Sequence, residues 1–425
     1  MRRIYLDNAA TSFPKPPSVH EAMLRYATKV GASPGRGHYA ESREGARLIR
    51  QCRERIRTLI NGESSDHVVF ALNTTDALNL AIKGIVRRRR LDAPGTPIHI
   101  VTTAMDHNSV LRPLAALAEE GVQVTYVPAD PITGVVDPAA TASAIRRETV
   151  LVAVVGVSNV SGTIQPIGAI GRLCRTMSVP YLVDAAQALG HIPVDVQEMQ
   201  IDLLAFPGHK GLLGPQGTGG LYVRPAIEHR IATTREGGTG SWSEHDHQPE
   251  SFPERLEAGS HNTAGIVGLS EGVRWILDKG IDALRAHEHE LITLMLEQLR
   301  SDGCRMGAAG TAEVTEGPLH AMRLLGPVLP QDRVGVFGLV HDTIEPAELA
   351  SMLESQFGIL ARSGLTCAPR AHAVLGSAIP GQPAGSLRLS FGPFTTAEDV
   401  LHACEALRRI GAGVHSATTA DRTSR

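Results

Sequence analysis

Lys210 stands in DLLAFPGHKGLLGPQGTGGLYVR, at the end of an apolar run and ahead of a glycine-rich loop. A lysine placed there is shielded from water. Desolvation favours its neutral amine, which can form a Schiff base with a carbonyl. Upstream, YLVDAAQALGHIPVDV puts Asp184 at the end of a second apolar run, with Gln187 shortly after it. Asp184 either caps the helix that follows or offers a carboxylate at the strand edge where α/β folds bind ligands. Thr74 and Thr75 in ALNTTDALNLAIKG open a helix, as ordinary caps or as an anion cradle built with backbone N–H groups and the helix dipole. His107 in TTAMDHNSV and Asn159 in GVSNVSGT also follow apolar runs. Alone, His107 reads as a structural histidine; in this company it could lie flat against a ring.

The carbonyl cofactor that most often uses such a lysine is pyridoxal 5′-phosphate, whose ring is an electron sink. A site for it needs a carboxylate for the pyridine nitrogen, a polar group for the ring phenolate, a phosphate cradle and a flat partner. Asp184, Gln187, Thr74 with Thr75, and His107 are candidates for those places. Arg388, in the apolar strand GSLRLSFGPF, either pairs with an internal acid or holds a substrate carboxylate bidentately. Cys367 lies in GILARSGLTCAPRAH, a loop segment flanked by glycine and proline and close to Arg362, Arg370 and His372. It is either an inert small residue or an exposed, activated thiolate. Cys52, Cys174 and Cys404 fall within helical patterns, and Cys304 follows a turn.

These residues need a frame that brings strand ends together. From about Val68 to Tyr222, short β-rich runs alternate with helical patterns: 68–72, 98–104, 124–129, 149–160, 181–187, 202–206 and 219–224. Near-continuous apolar strands alternating with helices predict a mainly parallel sheet covered on both faces. After a long loop over 235–262, a helical pattern runs from Thr263 through DALRAHEHELITLMLEQLRSDG. The remainder mixes strands at 333–340 and 386–392 with helices at 345–358 and 397–410. The expected fold is therefore α/β: a large domain over 15–285 built on the parallel sheet, and a smaller α+β C-terminal domain over 286–410 joined by residues 1–14. The stretch 411–425 reads as a disordered tail.

Composition bounds the partners. The 425 residues are 42% hydrophobic and 20% charged, with a formal net charge of −3. That balance gives no reason to expect nucleic acid or an anionic membrane surface as the main partner, and the run Arg87–Arg90 reads as a solvated helix C-terminus. No window approaches the about 18 apolar residues of a membrane span, and the first residues carry no apolar signal stretch. Five scattered cysteines without a CxxC pair argue against a disulfide framework or structural zinc, and for a reducing cytoplasm. No metal is expected.

With these residues in place, the chain resembles the class V (fold-type I) pyridoxal-phosphate enzymes, and within them the cysteine desulfurase / selenocysteine lyase family in its short catalytic-loop group. LDNAAT, NTTDALNLA, the VDAAQ-to-GHK spacing, GPQGTGGLYVR and RSGLTCAP occur in family order from residue 5 to residue 400. The resemblance implies a fold-type I large domain with pyridoxal 5′-phosphate joined to Lys210, which also acts as general acid and base. It places Asp184 on the pyridine nitrogen, Gln187 on the phenolate and His107 on the ring, where it is also counted among the catalytic groups. Thr74, Thr75 and His209 would contact the phosphate, and Asn159 and Arg388 the substrate carboxylate. Cys367 falls on the sulfur-accepting cysteine, with Arg362 at the start of its loop. A homodimer is implied, in which Ser260 of the segment GSHN comes from the partner to complete each phosphate site.

Three positions depart from the family pattern: Pro207 where a Ser or Thr is usual, His261 in place of a proline, and Thr366 where a His often precedes the cysteine. The function implied is conversion of L-cysteine to L-alanine, with the sulfur held as a persulfide on Cys367 and passed to an acceptor protein. Selenocysteine cleavage, or a class V lyase, epimerase or transaminase acting on another amino acid, are the enzymatic alternatives. A docking or regulatory scaffold that keeps the fold is the non-enzymatic one.

Overall fold

The computed structural model describes residues 2–35, 37–307, 316–378 and 384–423, with backbone alone beyond 412. Among these residues the apolar runs of the first half form a seven-stranded sheet. Its spatial order is Val68–Ala71, Gly219–Val223, Leu203–Pro207, Tyr181–Asp184, Thr149–Val155, His99–Thr103, Gln123–Val127. Every pairing is parallel except those of Gly219–Val223, which runs antiparallel to both neighbours. The five strands His99–Thr103, Thr149–Val155, Tyr181–Asp184, Leu203–Pro207 and Gly219–Val223 are buried almost throughout. Their lack of polar alternation reflects helices packed on both faces.

Pro207 closes its strand opposite Gly219. The pairing with Tyr181–Asp184 ends earlier, at Ala205. The missing proline N–H therefore interrupts no ladder. Gly190 and Gly211 cross behind the lysine loop: a Cβ on Gly190 (φ +87°) would lie 2.2 Å from the Gly211 carbonyl oxygen. Only glycine permits that approach.

The second half forms a five-stranded sheet that includes Arg362–Gly364, Ser386–Ser390 and Val336–His341. Its core joins Leu291 to Ile410 with Ile4 and Leu6 from the N-terminus. The strand Ile4–Tyr5 pairs with Ile359–Leu360, while Ala9 already belongs to the core of the large sheet. Leu284 packs with the large sheet's core and Leu291 with the other. On that packing we propose the division 15–285 and 286–410 with 1–14.

Three details differ from the sequence reading. The long helix breaks at Gly280 (φ +80°) into Thr263–Lys279 and Ile281–Ser301. A helix, Pro17–Arg25, precedes the sheet where no element was assigned, and the helical pattern around Cys52 is the helix Ala40–Leu59. The last helix runs Ala397–Thr423, so its backbone stays helical through the expected disordered tail, in a run with no proline to stop it; residues 424–425 lie outside the described residues. No helix among the described residues is long and apolar enough to cross a membrane.

Candidate active site

The parallel strands deliver their ends to one edge of the sheet, and a single cavity there is lined by Thr74, Thr75, His107, Ser109, Asn159, Asp184, Gln187, His209 and Lys210. Eight of those nine were expected from sequence. Lys210 follows the strand Leu203–Pro207, and burial is the main force pushing its amine down to about 8. Asp184 opposes that shift, while Arg388 and Arg362 add to it. Asp184 ends its own strand, almost fully buried, and burial raises its carboxyl, which the Ala186 N–H and the Lys210 charge partly offset. Its Oδ1 accepts from the Ala186 N–H at 3.0 Å in a turn; no helix follows for it to cap, and the residue lines the cavity.

His107 stands before the helix Asn108–Glu119, where its Nδ1 accepts from the Ser109 N–H at 3.0 Å. Burial and then the Lys210 charge push it down to about 4. The ring is neutral around pH 7 with its proton on Nε2, as suits a flat partner rather than a cation. Ser109, whose hydroxyl lies 2.8 Å from the same Nδ1, is a site residue that sequence reasoning missed. Its signal was its position two residues beyond the histidine at a helix start.

Asp106, also missed, is completely buried and accepts from both Thr102 and Thr103. Burial raises it to about 7, and the charge of Asp184 acts in the same direction.

Thr74 opens the helix Thr74–Asp92, and Asn73 caps it by accepting from the Asp76 N–H. The free amides and positive dipole end of this long helix face the cavity beside the two hydroxyls. The His209 carbonyl is held by the Ser12 N–H at 3.0 Å and the Thr11 hydroxyl at 3.0 Å, which fixes the peptide next to Lys210. Lys15 reaches the same carbonyl, and burial lowers its amine to about 8.

Three atoms on the cavity wall are buried without a hydrogen-bond partner: Gln187 Oε1, His209 Nδ1 and Asn159 Oδ1. Buried polar atoms rarely stay unpaired. Together with the neutralised amine, the buried acid and the helix end, they fit a flat polar ligand with an anionic tail.

The C-terminal half meets the site's edge at Asn159, through Arg388 and Thr366. Arg388 is buried; its NH2 donates to Asp7 Oδ1 at 2.8 Å and its NH1 to the Asn159 carbonyl at 3.2 Å. The internal acid weighed in sequence is thus Asp7 of the LDNAAT segment, and Nε of Arg388 remains without a partner. Arg362 is its register partner on the neighbouring strand. Neither arginine lines the cavity, but both depress Lys210 and His107 by their charge.

Cys367 is exposed, whereas Cys52, Cys174, Cys304 and Cys404 are buried, with thiols that burial pushes up to about 12. Its carbonyl accepts from the Asn108 N–H at 2.8 Å, which seats the cysteine turn beside His107. Arg370 stacks on the Tyr126 ring.

Ser260 does not line this cavity. It is exposed in a separate hollow with Asp76, Arg235 and His261. The segment is anchored by a buried bidentate pair between Arg53 and Glu257, and His261 Nε2 joins Glu257 at 2.8 Å.

A sheet edge that gathers lysine, aspartate and a helix end under an arginine-bearing small domain defines a class, and the whole chain matches it. The protein belongs to the aminotransferase class-V family, whose model spans residues 4–402. Among its relatives, a probable cysteine desulfurase of Methanothermobacter thermautotrophicus is 34% identical over 409 residues, 96% of this chain and 94% of that protein. Cysteine desulfurase IscS of Clostridium botulinum strain Hall is 31% identical over 416 residues, covering 96% and 94%. The apo structure of cysteine desulfurase from Thermococcus onnurineus NA1 superposes with a TM-score of 0.84 at 29% identity, over 97% of this chain and 95% of that one. The cysteine desulfurase CsdA from Escherichia coli, in an S-sulfonic acid form, gives 0.79 at 25% identity, over 96% and 94%.

Proposed function

We propose that the protein is a pyridoxal-phosphate-dependent cysteine desulfurase that takes L-cysteine to L-alanine and holds the sulfur on Cys367. The observation that carries this is one exposed cysteine, among four inert buried ones, seated by its carbonyl on the first amide of the helix after His107. The relatives' names agree with it.

Lys210 would hold the cofactor, with Asp184 at the ring nitrogen, His107 against the ring, Gln187 at the phenolate, and Thr74, Thr75 and His209 around the phosphate. When bound, the cofactor supplies an electron sink for charge developing at the substrate's Cα. The rest is done by this chain. Burial gives Lys210 an amine that exchanges its proton near neutral pH, so it can take the Cα proton and return one later. Asn159 and Arg388 orient the substrate carboxylate, with Arg362 adding positive charge. Cys367 Sγ, as thiolate, attacks the substrate sulfur. The S–S bond forms as Cβ–S breaks, the electron pair stays with the carbon fragment, and protonation of that fragment gives alanine.

Pro207 removes one hydroxyl from the phosphate cradle, and a partner subunit's 259–262 segment would complete it in a homodimer. An acceptor protein would then take the sulfur, in a reducing compartment such as the cytoplasm. The test is alanine and sulfide production from L-cysteine with reductant. Cys367→Ser should abolish both while keeping the visible absorption of bound cofactor; retained sulfide release would refute the assignment.

A further inference from the structure

The turn that carries Cys367 is held at three points. The Asn108 N–H donates to the Cys367 carbonyl at 2.8 Å, and Asn159 Nδ2 donates to the Thr366 carbonyl at 2.7 Å. On the other side, the Thr366 hydroxyl meets His372 Nε2 at 3.2 Å, and His372 Nδ1 meets the Ser377 hydroxyl at 2.8 Å. The first two bonds tie the turn to the large sheet's edge. The third ties it to its own domain through a fully buried histidine. Thr366 and Cys367 are consecutive non-glycine residues at φ +44° and +60°. L-residues take that left-handed conformation only where contacts impose it.

Asn159 therefore has two claims on one group. Its Nδ2 is the one donor atom its side chain has for a carboxylate, and one of its two N–H groups is turned onto the Thr366 carbonyl. Its Oδ1 has no partner. We propose that Asn159 is a latch: a substrate carboxylate draws Nδ2 off the Thr366 carbonyl, and the loss of that bond leaves the strained Cys367 turn tied to the large sheet by the Asn108 amide alone, weakening its hold there while His372 keeps it on the small domain. Thr366, standing where the family often has histidine, supplies the hydroxyl of that third tether. The inference rests on the substrate reading above and adds what substrate arrival does to the thiol.

Hydrogen exchange of the holoenzyme tests it, with L-alanine as a carboxylate-bearing probe that has no sulfur to lose. The Asn108 and Ala368 amides, which donate to Cys367 and Leu365, are the reporters. Loss of one such bond corresponds to about a two- to ten-fold rise in local opening. Alanine is expected to raise their exchange by that factor. Asn159→Asp, which keeps the shape and removes the donor, should show the raised rate without alanine. Unchanged or slowed exchange while the cofactor's absorption shows alanine bound would overturn the latch alone, as would wild-type exchange in Asn159→Asp. If alanine leaves the absorption unaltered, the substrate reading fails and the latch with it.

Discussion

In the cofactor-free protein, Lys210 is predicted to behave as an amine that loses its proton near pH 8, where an ordinary lysine holds it to 10.5. Burial is the chief cause. At pH 7 a midpoint of 8 leaves roughly one amine in eleven neutral, against about one in three thousand for the ordinary side chain, a difference of about 300-fold. Asp184 is the strongest influence in the opposite direction, and Arg388 works with burial. Asp184→Asn removes a negative charge that favours the ammonium, so the midpoint should fall; Arg388→Met should raise it. Reductive methylation by formaldehyde and cyanoborohydride over a pH series, followed by peptide mass spectrometry, reads the midpoint for Lys210 against the protein's other lysines. A Lys210 midpoint close to 10.5, or an upward shift in Asp184→Asn, would refute the claim that the fold prepares this amine for a carbonyl.

Two further predictions concern the frame. Burial pushes Glu257 up, but Arg53 and His261 outweigh it and hold the carboxyl at about 2 against an ordinary 4.5. Its depressed value means the pair stabilises the fold fully above pH 4.5 and stops doing so as pH falls through about 2. Thermal denaturation should show a gap between wild type and Glu257→Gln that is constant above pH 4.5 and closes toward pH 2. Arg53→Ala, which leaves a buried carboxylate short of its main partner, should cost about 3–5 kcal/mol at pH 7. Gly190→Ala puts a methyl 2.2 Å from the Gly211 oxygen and must displace the segment carrying Lys210. It is expected to lower the melting temperature and weaken the visible cofactor band together; an unchanged band would show that the crossing does not position the lysine.

Much of the site was legible in the sequence because it sits at strand ends. Asp184, His107, Asn159 and Lys210 each follow an apolar run, and the parallel sheet brings such ends to one edge. What stayed hidden depends on contacts between distant segments. Nothing near Arg388 in sequence announces Asp7, and nothing near Asn159 announces Thr366. Asp106 reads as one more polar residue in a turn until burial raises it to about 7. The helix Ala40–Leu59 shows in the sequence only as a helical pattern around Cys52, without bounds, because its surface is so rich in arginine and glutamate that the apolar stripe through Ile49, Cys52 and Ile56 is narrow. The break at Gly280 follows from that residue's positive φ, which a helical period alone does not reveal.

Cys367 is expected to take the substrate's sulfur. Incubating the purified enzyme with one equivalent of L-cysteine, without reductant, and measuring the mass of the Cys367 peptide tests it directly. A gain of one sulfur atom on that peptide, matched by alanine and absent in Lys210→Ala, is the expected result. Alanine formed while Cys367 stays unmodified, or sulfur found on one of the buried cysteines instead, would contradict it.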